Sequence, residues 1–194
     1  MIIKKHCLLL GKTKNILKLK KEILKRNWKI TSKSKKISQS DIKNVDLVIS
    51  FNYKHVLKKS IIKNLKRPAI NLHISYLPFN KGAHPNFWSF VEKSPKGVTI
   101  HEINQGIDTG PIIYQKKIFF NINKKKNNSF FKTHKILNFE IEKLFIKKIK
   151  SILNKKYKLK KQKDKGTIHY KKDLPQFVTK SWKSNIKIVL NKFN

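Results

Sequence analysis

The sequence predicts an α/β fold, a mostly parallel twisted sheet with helices on its faces, and three observations carry that prediction. Short apolar runs at residues 6–10, 46–50 and 69–72 read as strands. Helix-periodic or polar stretches separate them, which is the alternation of right-handed βαβ units. The runs are apolar without alternation, as strands covered on both faces are.

Each element follows from its residues. Residues 6–10 contain Cys7-Leu8-Leu9-Leu10 and end at Gly11. Ile16, Leu17, Leu19, Ile23 and Leu24 recur at helical spacing with lysines between, so residues 13–26 form a helix. Residues 28–30 are a short second strand, and 32–44 a polar connection with a helical turn. Residues 46–50 are the third strand. Residues 56–65 are a short helix that stops before Pro68. The next strand, 69–72, ends where polar residues begin. Pro78, Gly82, Pro85 and Pro95 break residues 75–96, leaving about two helical turns at 86–92. Strands follow at 98–103 and 112–120. Phe130, Phe131, His134, Leu137, Ile141, Leu144, Phe145, Ile149 and Ile152 then mark a long helix over 128–152.

The chain has 194 residues, the size of one domain. It carries 47 basic and 10 acidic residues, a formal net charge of +37. Only Arg26 and Arg67 are arginine; the rest of the cations are lysines spread along the chain. Readers of nucleic acid use arginine for bidentate contacts, so the balance points to composition rather than to nucleic acid. Lysine, isoleucine and asparagine are all abundant, as A- and T-rich codons produce. A field of this sign still draws in small anions. The single cysteine, Cys7, rules out a disulfide within the chain and reads as a buried thiol. No apolar run approaches the roughly 18 residues of a membrane span. A cytoplasmic enzyme is the expectation. The first turn, Gly11-Lys12-Thr13-Lys14, has neither the dinucleotide nor the P-loop spacing. It is either an ordinary strand-to-helix turn or a phosphate seat at a helix N-terminus.

Chemistry concentrates between Asn71 and Gly110. Asn71 and His73 stand two apart at the end of a strand, so they aim at one face. Asp108 lies in a loop bounded by Gly106 and Gly110. An amide, an imidazole and a carboxylate suit acyl transfer to an amine. Asn71 and a protonated His73 would donate to the carbonyl oxygen as charge grows on it. Asp108 would raise the pKa of His73, and would take the amine's proton directly or through water. No serine or cysteine nucleophile is required.

Residues 71–78 read Asn-Leu-His-Ile-Ser-Tyr-Leu-Pro, 97–101 Gly-Val-Thr-Ile-His and 108–110 Asp-Thr-Gly. These segments resemble those of the folate-dependent formyltransferase family, from about residue 45 to about residue 150. The resemblance implies a Rossmann-like catalytic domain over residues 1–153 with a short N-terminal half. It leaves 154–194 as an extension that packs on that domain or serves a homodimer contact. It implies that Asn71, His73 and Asp108 carry the reaction, with 10-formyltetrahydrofolate as donor and no metal. One wall of the folate pocket would be Tyr53, His55 and Val56, although His55 reads equally as a surface loop histidine. The other would be the backbone of Ile103, Asn104, Gln105, Gly106 and Ile107. Ser75, Thr99 and His101 are candidates behind the site or at the substrate. The segment before Asn71 is shorter than the family usually has, which implies that a strand–helix unit is missing or compressed.

For the acceptor, the resemblance ranks an amino sugar on a nucleotide first. Gly82-Ala83-His84-Pro85-Asn86-Phe87-Trp88-Ser89 and the tail Gly166-Thr167-Ile168-His169 look like the sugar-directed enzymes. Glycinamide ribonucleotide comes second, since the first turn lacks that branch's glycine-rich loop. Methionyl-tRNA comes third, since about 40 residues after the long helix are few for a five-stranded barrel. A basic nucleic-acid-binding protein without activity is the reading from another class, and predicts steep salt dependence.

Overall fold

The computed structural model describes residues 4–192. The outermost residues of the two predicted units, 1–3 and 193–194, lie outside them. Among the described residues, six strands form one sheet. They are β1 (His6–Leu10), β2 (Lys29–Lys33), β3 (Leu47–Phe51), β4 (Ile70–His73), β6 (Gly97–Glu102) and β7 (Ile112–Lys117), in the order β2-β1-β3-β4-β6-β7. The first four run parallel, and β6 is antiparallel to both β4 and β7. A two-residue strand β5 (Lys81–Gly82) pairs in parallel with β8 (Ile168–His169) as a separate small sheet. The predicted α/β fold is thus the observed one.

Alternation along β1 divides the two faces. Cys7 and Leu9 join Leu47, Ile49 and Ile70 under α1 (Thr13–Leu24) and α5 (Phe130–Leu153). Leu8 and Leu10 join Val48 on the opposite face, under α2 (Gln39–Ile42) and α3 (Lys59–Lys63). Helix α1 buries Ile16, Leu19 and Ile23, but leaves Leu17 48% and Leu24 49% exposed. The apolar stripe in the sequence is therefore wider than the buried one. Ser129 caps α5, its hydroxyl accepting from the Lys132 amide at 3.3 Å. The helix then buries Leu137, Ile141, Phe145, Ile149 and Ile152 at i, i+3 and i+4 steps.

The helices of the N-terminal half are unequal in length. Four parallel strands are present, while α2 has four residues and α3 five. The predicted helix over 56–65 shrinks to α3, because residues 52–57 form an irregular loop after β3. The break predicted over 75–96 is filled by β5 and by α4 (Pro85–Val91), with Pro85 at its first turn.

Residues 154–192 run back across the sheet-end loops. Lys160 pairs with Ile112, and its amide donates to the Ile112 carbonyl at 2.8 Å. After β8 come α6 (Gln176–Lys180) and α7 (Ile186–Asn191). Val178, Ile186 and Val189 close a third apolar cluster with Phe87, Trp88, Phe90 and Phe130.

Candidate active site

Strand register brings the site together. Parallel β3 and antiparallel β6 flank β4, so Asn71 lies between Ser50 and His101, and His73 lies opposite Thr99. This is the carboxyl end of the parallel strands, where such sheets bind ligands. Asp108 reaches the same point from the loop after β6, with φ at 50°. That left-handed conformation is uncommon for a residue with a side chain, though aspartate tolerates it better than most. The loop's return is fixed by Gly110, where a Cβ would collide with the Glu102 carbonyl oxygen.

The Asp108 carboxylate is the hub. Its Oδ1 accepts from Asn71 Nδ2 at 3.1 Å and lies 3.3 Å from His101 Nε2. Its Oδ2 accepts the Gly82 amide at 2.9 Å and lies 3.6 Å from His73 Nδ1. Burial would raise its pKa, but His73, His101 and the Gly82 N–H outweigh that and hold the carboxyl well below the usual range. Asp108 is ionised throughout the neutral range.

His73 departs from expectation. Its ring is enclosed, and burial pushes it below its ordinary value; Asp108 pulls upward and His101 adds downward. The expected contribution of Asp108 has the right sign, but the net direction is down because desolvation is larger. Both ring nitrogens nevertheless face acceptors, Nε2 the Asn80 carbonyl at 3.3 Å and Nδ1 the carboxylate. Any proton the ring takes up therefore has a partner on either side. His101 donates from Nδ1 to the Glu102 carbonyl at 2.8 Å, leaving Nε2 toward Asn71 Nδ2 at 3.3 Å and toward Asp108.

A cavity of about 690 Å³ opens on this cluster. Asn71, His73, His101 and Asp108 line it, as do Tyr53, His55, Val56, Ile103, Asn104, Gly106 and Ile107. Gln105 does not line it. Ser75 and Thr99 lie behind it: the Thr99 hydroxyl donates to the Ser75 carbonyl at 2.7 Å, and the Ser75 hydroxyl to the Phe79 carbonyl. They tie down the turn after β4 rather than face a ligand. Asn104 braces its own loop, its Oδ1 accepting from the Gly106 amide and the Thr109 hydroxyl. The Tyr53 hydroxyl is committed to the Lys35 carbonyl at 2.8 Å, so Tyr53 offers the cavity its ring rather than a donor.

Sequence reasoning missed three contributors. The Gly82 amide holds Asp108, Asn80 offers its carbonyl to His73, and Gln162 donates to the Asp108 and Gly110 carbonyls, both at 2.8 Å. Two act through the backbone, where side-chain identity gives no signal. The cavity lining also includes His84, His134, Lys171 and Trp182, with Trp182 edge-on to both histidine rings.

The model of the formyl transferase family matches residues 9–140. Among curated proteins, the chain is 28% identical over 135 residues to a dTDP-4-amino-4,6-dideoxyglucose formyltransferase of Mycobacterium tuberculosis, covering 70% of this chain and 55% of that protein. It is 32% identical over 184 residues to the methionyl-tRNA formyltransferase of Prochlorococcus marinus, covering 89% and 52%. The chain thus spans about half the length of these curated relatives. Among solved structures, the formyltransferase PseJ from Anoxybacillus kamchatkensis superimposes with a TM-score of 0.87 at 36% identity, over 97% of this chain and 100% of that one. That structure is a complex with UDP-4,6-dideoxy-4-formamido-L-AltNAc and tetrahydrofolate.

Proposed function

This chain belongs to the formyl transferase family, and from that premise we propose that it transfers a formyl group from 10-formyltetrahydrofolate to the amine of an amino sugar carried on a nucleotide. The observation that carries the reading is the ionised Asp108 in the lining of a cavity, with Asn71, His73 and His101 turned toward it. The choice of acceptor is supported by the nucleotide sugar and tetrahydrofolate in the PseJ complex.

The donor, when bound, supplies an electrophilic formyl carbon. Asp108 takes the proton that the attacking amine loses, directly or through a water. His73 and Asn71 donate to the formyl oxygen as negative charge grows on it. Both Nδ2 hydrogens of Asn71 face partners within the protein, Asp108 and His101. Both His73 nitrogens are likewise engaged, Nε2 with the Asn80 carbonyl and Nδ1 with Asp108, so donation to substrate requires one contact on each residue to yield. The loops at 53–57 and 103–107 suit a flat heteroaromatic ring, since they offer the Tyr53 ring, apolar side chains and backbone groups. Lys171 in the lining suits the charge of an anionic nucleotide, and Trp182 offers an aromatic face to its base. We place the enzyme in the cytoplasm, in one-carbon metabolism.

The test is formyl transfer from 10-formyltetrahydrofolate, read by absorbance of released tetrahydrofolate. Acceptors are nucleotide-linked 3- and 4-amino sugars, glycinamide ribonucleotide and methionyl-tRNA. Turnover on an amino sugar is expected. Turnover on methionyl-tRNA alone would overturn the acceptor, and no turnover on any, with no folate bound, would overturn the reaction.

A further inference from the structure

The Gly166-Thr167-Ile168-His169 tail segment lies far in sequence from the reacting groups, yet it grips the strand that holds them. The β5 segment touches two of these groups directly. Asn80, immediately before the strand, offers its carbonyl to His73, and Gly82 gives its amide to Asp108. Both contacts are made by backbone, so their alignment depends on where that backbone is held.

It is held from the tail. Lys81 donates its amide to the Thr167 carbonyl at 2.9 Å, and Ala83 to the His169 carbonyl at 2.8 Å. The Gly82 amide between them is left for Asp108. Gly82 also lets β8 come close, since a Cβ there would run into the His169 carbonyl oxygen. Beneath this ladder sits Glu92, just past the end of α4. Its Oε2 accepts from Asn80 Nδ2 at 2.7 Å and from the Thr167 hydroxyl at 2.8 Å. Its Oε1 meets His169 Nε2 at 2.5 Å. The His169 ring stacks on Trp88, with centroids 4.0 Å apart and planes 7° apart. One carboxylate thus joins α4, the segment before β5 and β8.

We propose that Glu92 is a positioning residue for formyl transfer, acting with Thr167 and His169 as a clasp that sets the Asn80 carbonyl against His73 and the Gly82 amide against Asp108. Glu92 bonds to Asn80, Thr167 and His169, and it reaches the reacting cluster through the β5 backbone. A misplacement of reacting groups by about 1 Å costs on the order of a hundredfold in rate. A glutamine at 92 keeps the length but puts an amide donor where one oxygen accepted, so either the Asn80 and Thr167 side loses its acceptor or the contact to His169 must invert through the ring's other tautomer.

The kinetic arm of the test rests on the formyl-transfer reading, and a second arm does not. Glu92→Gln, Thr167→Val and Thr167→Ser are prepared in the full chain. Folded fraction is matched by circular dichroism, and folate affinity is checked. Glu92→Gln and Thr167→Val are expected to lower kcat about ten- to a hundredfold, with both KM values changed less than about twofold. Thr167→Ser keeps the hydroxyl and is expected to retain kcat. In parallel, hydrogen exchange of the Gly82 amide is followed by NMR, and is expected to speed up at least about tenfold in Glu92→Gln. A lower melting temperature with kcat and Gly82 exchange unchanged would overturn the proposal and leave Glu92 a structural residue. If the wild type transfers no formyl group, the reading of function fails while the Gly82 exchange still decides the clasp.

Discussion

The two sides of the cavity are built differently. On the β5 side, Asp108 has four neighbours within 3.6 Å, and the strand that supplies one of them is itself tied by the tail. On the other side, Val56 is 79% exposed, and the 53–57 loop is irregular backbone at the surface. The first side is held by contacts within the protein; the second is open. Chemistry that develops charge gains from donors already in place, because nothing then has to reorganise during the reaction. Recognition of a large flat ligand gains from an accessible wall. The comparison predicts that changes on the closed side act on kcat or on folding, and changes on the open side act on affinity.

The sharpest way to break it is Asp108→Asn. The amide cannot take the amine's proton, and one of its atoms becomes a donor facing Asn71 or Gly82. Turnover is expected to fall about 10²- to 10⁴-fold, with folate affinity, measured by fluorescence titration, nearly unchanged. Wild-type turnover in this variant would remove Asp108 as the proton acceptor and end the proposed mechanism.

Gly110→Ala tests the closed side through its backbone. The added methyl collides with the Glu102 carbonyl oxygen, and backbone cannot swing away as a side chain can. A loss of about 1–3 kcal/mol is expected, a fall in Tm of several degrees at roughly 2–4 °C per kcal/mol. The position of Asp108, and hence kcat, is expected to suffer even where the protein stays folded. A neutral result in both readouts would show that the loop is looser than its contacts imply.

Acid tests the enclosed histidines together. Burial holds His73, His84 and His134 below the ordinary value of 6.5. Near neutral pH neither the folded nor the unfolded chain protonates them, and they cost nothing. As pH falls below about 6.5, the unfolded chain binds protons that the folded chain refuses, so stability is lost. Asp108 adds its own loss only at lower pH: its folded pKa is depressed, so its contribution is intact above the ordinary carboxylate range and is lost as pH falls through that range toward the depressed value. The expected outcome is a Tm that is flat above about pH 7 and declines from about pH 6.5 downward, with a smaller decline in His134→Gln.

How much of this could be read from residues alone follows the same division. The strands were legible because β1, β3 and β4 are continuous apolar runs with turn residues at their ends. The convergence of Asn71 and His73 was legible because residues two apart on a strand share a face, and Asp108 joined them through its glycine-bounded loop and the family resemblance of its motif. The contact of His101 with Asp108 was not legible, since it depends on β6 running antiparallel to β4, a pairing that no local pattern states. The Gly82 amide and the Asn80 carbonyl left no trace, because any residue carries them. The tail's hold on β5 joins residues more than 80 apart in sequence. Helices α2 and α3 were blurred for a simpler reason: one turn is too short for a period to show.

The smallest effect is expected on the open wall. Val56→Ala removes two methyl groups' worth of apolar surface from a residue that solvent already covers. Burying a CH₂ is worth about 0.8 kcal/mol when complete, and a ligand covering one side of an exposed valine recovers only part of that. Folate affinity is expected to weaken about two- to fivefold by fluorescence titration, with kcat at saturating folate and Tm unchanged. A matching fall in kcat would mean that the 53–57 loop closes during the reaction, and the contrast between a fixed side and an open side would then hold only for the ligand-free protein. An unchanged kcat with weakened affinity sharpens it, because a comparably small substitution on the closed side, Gly110→Ala, acts on the opposite pair of quantities.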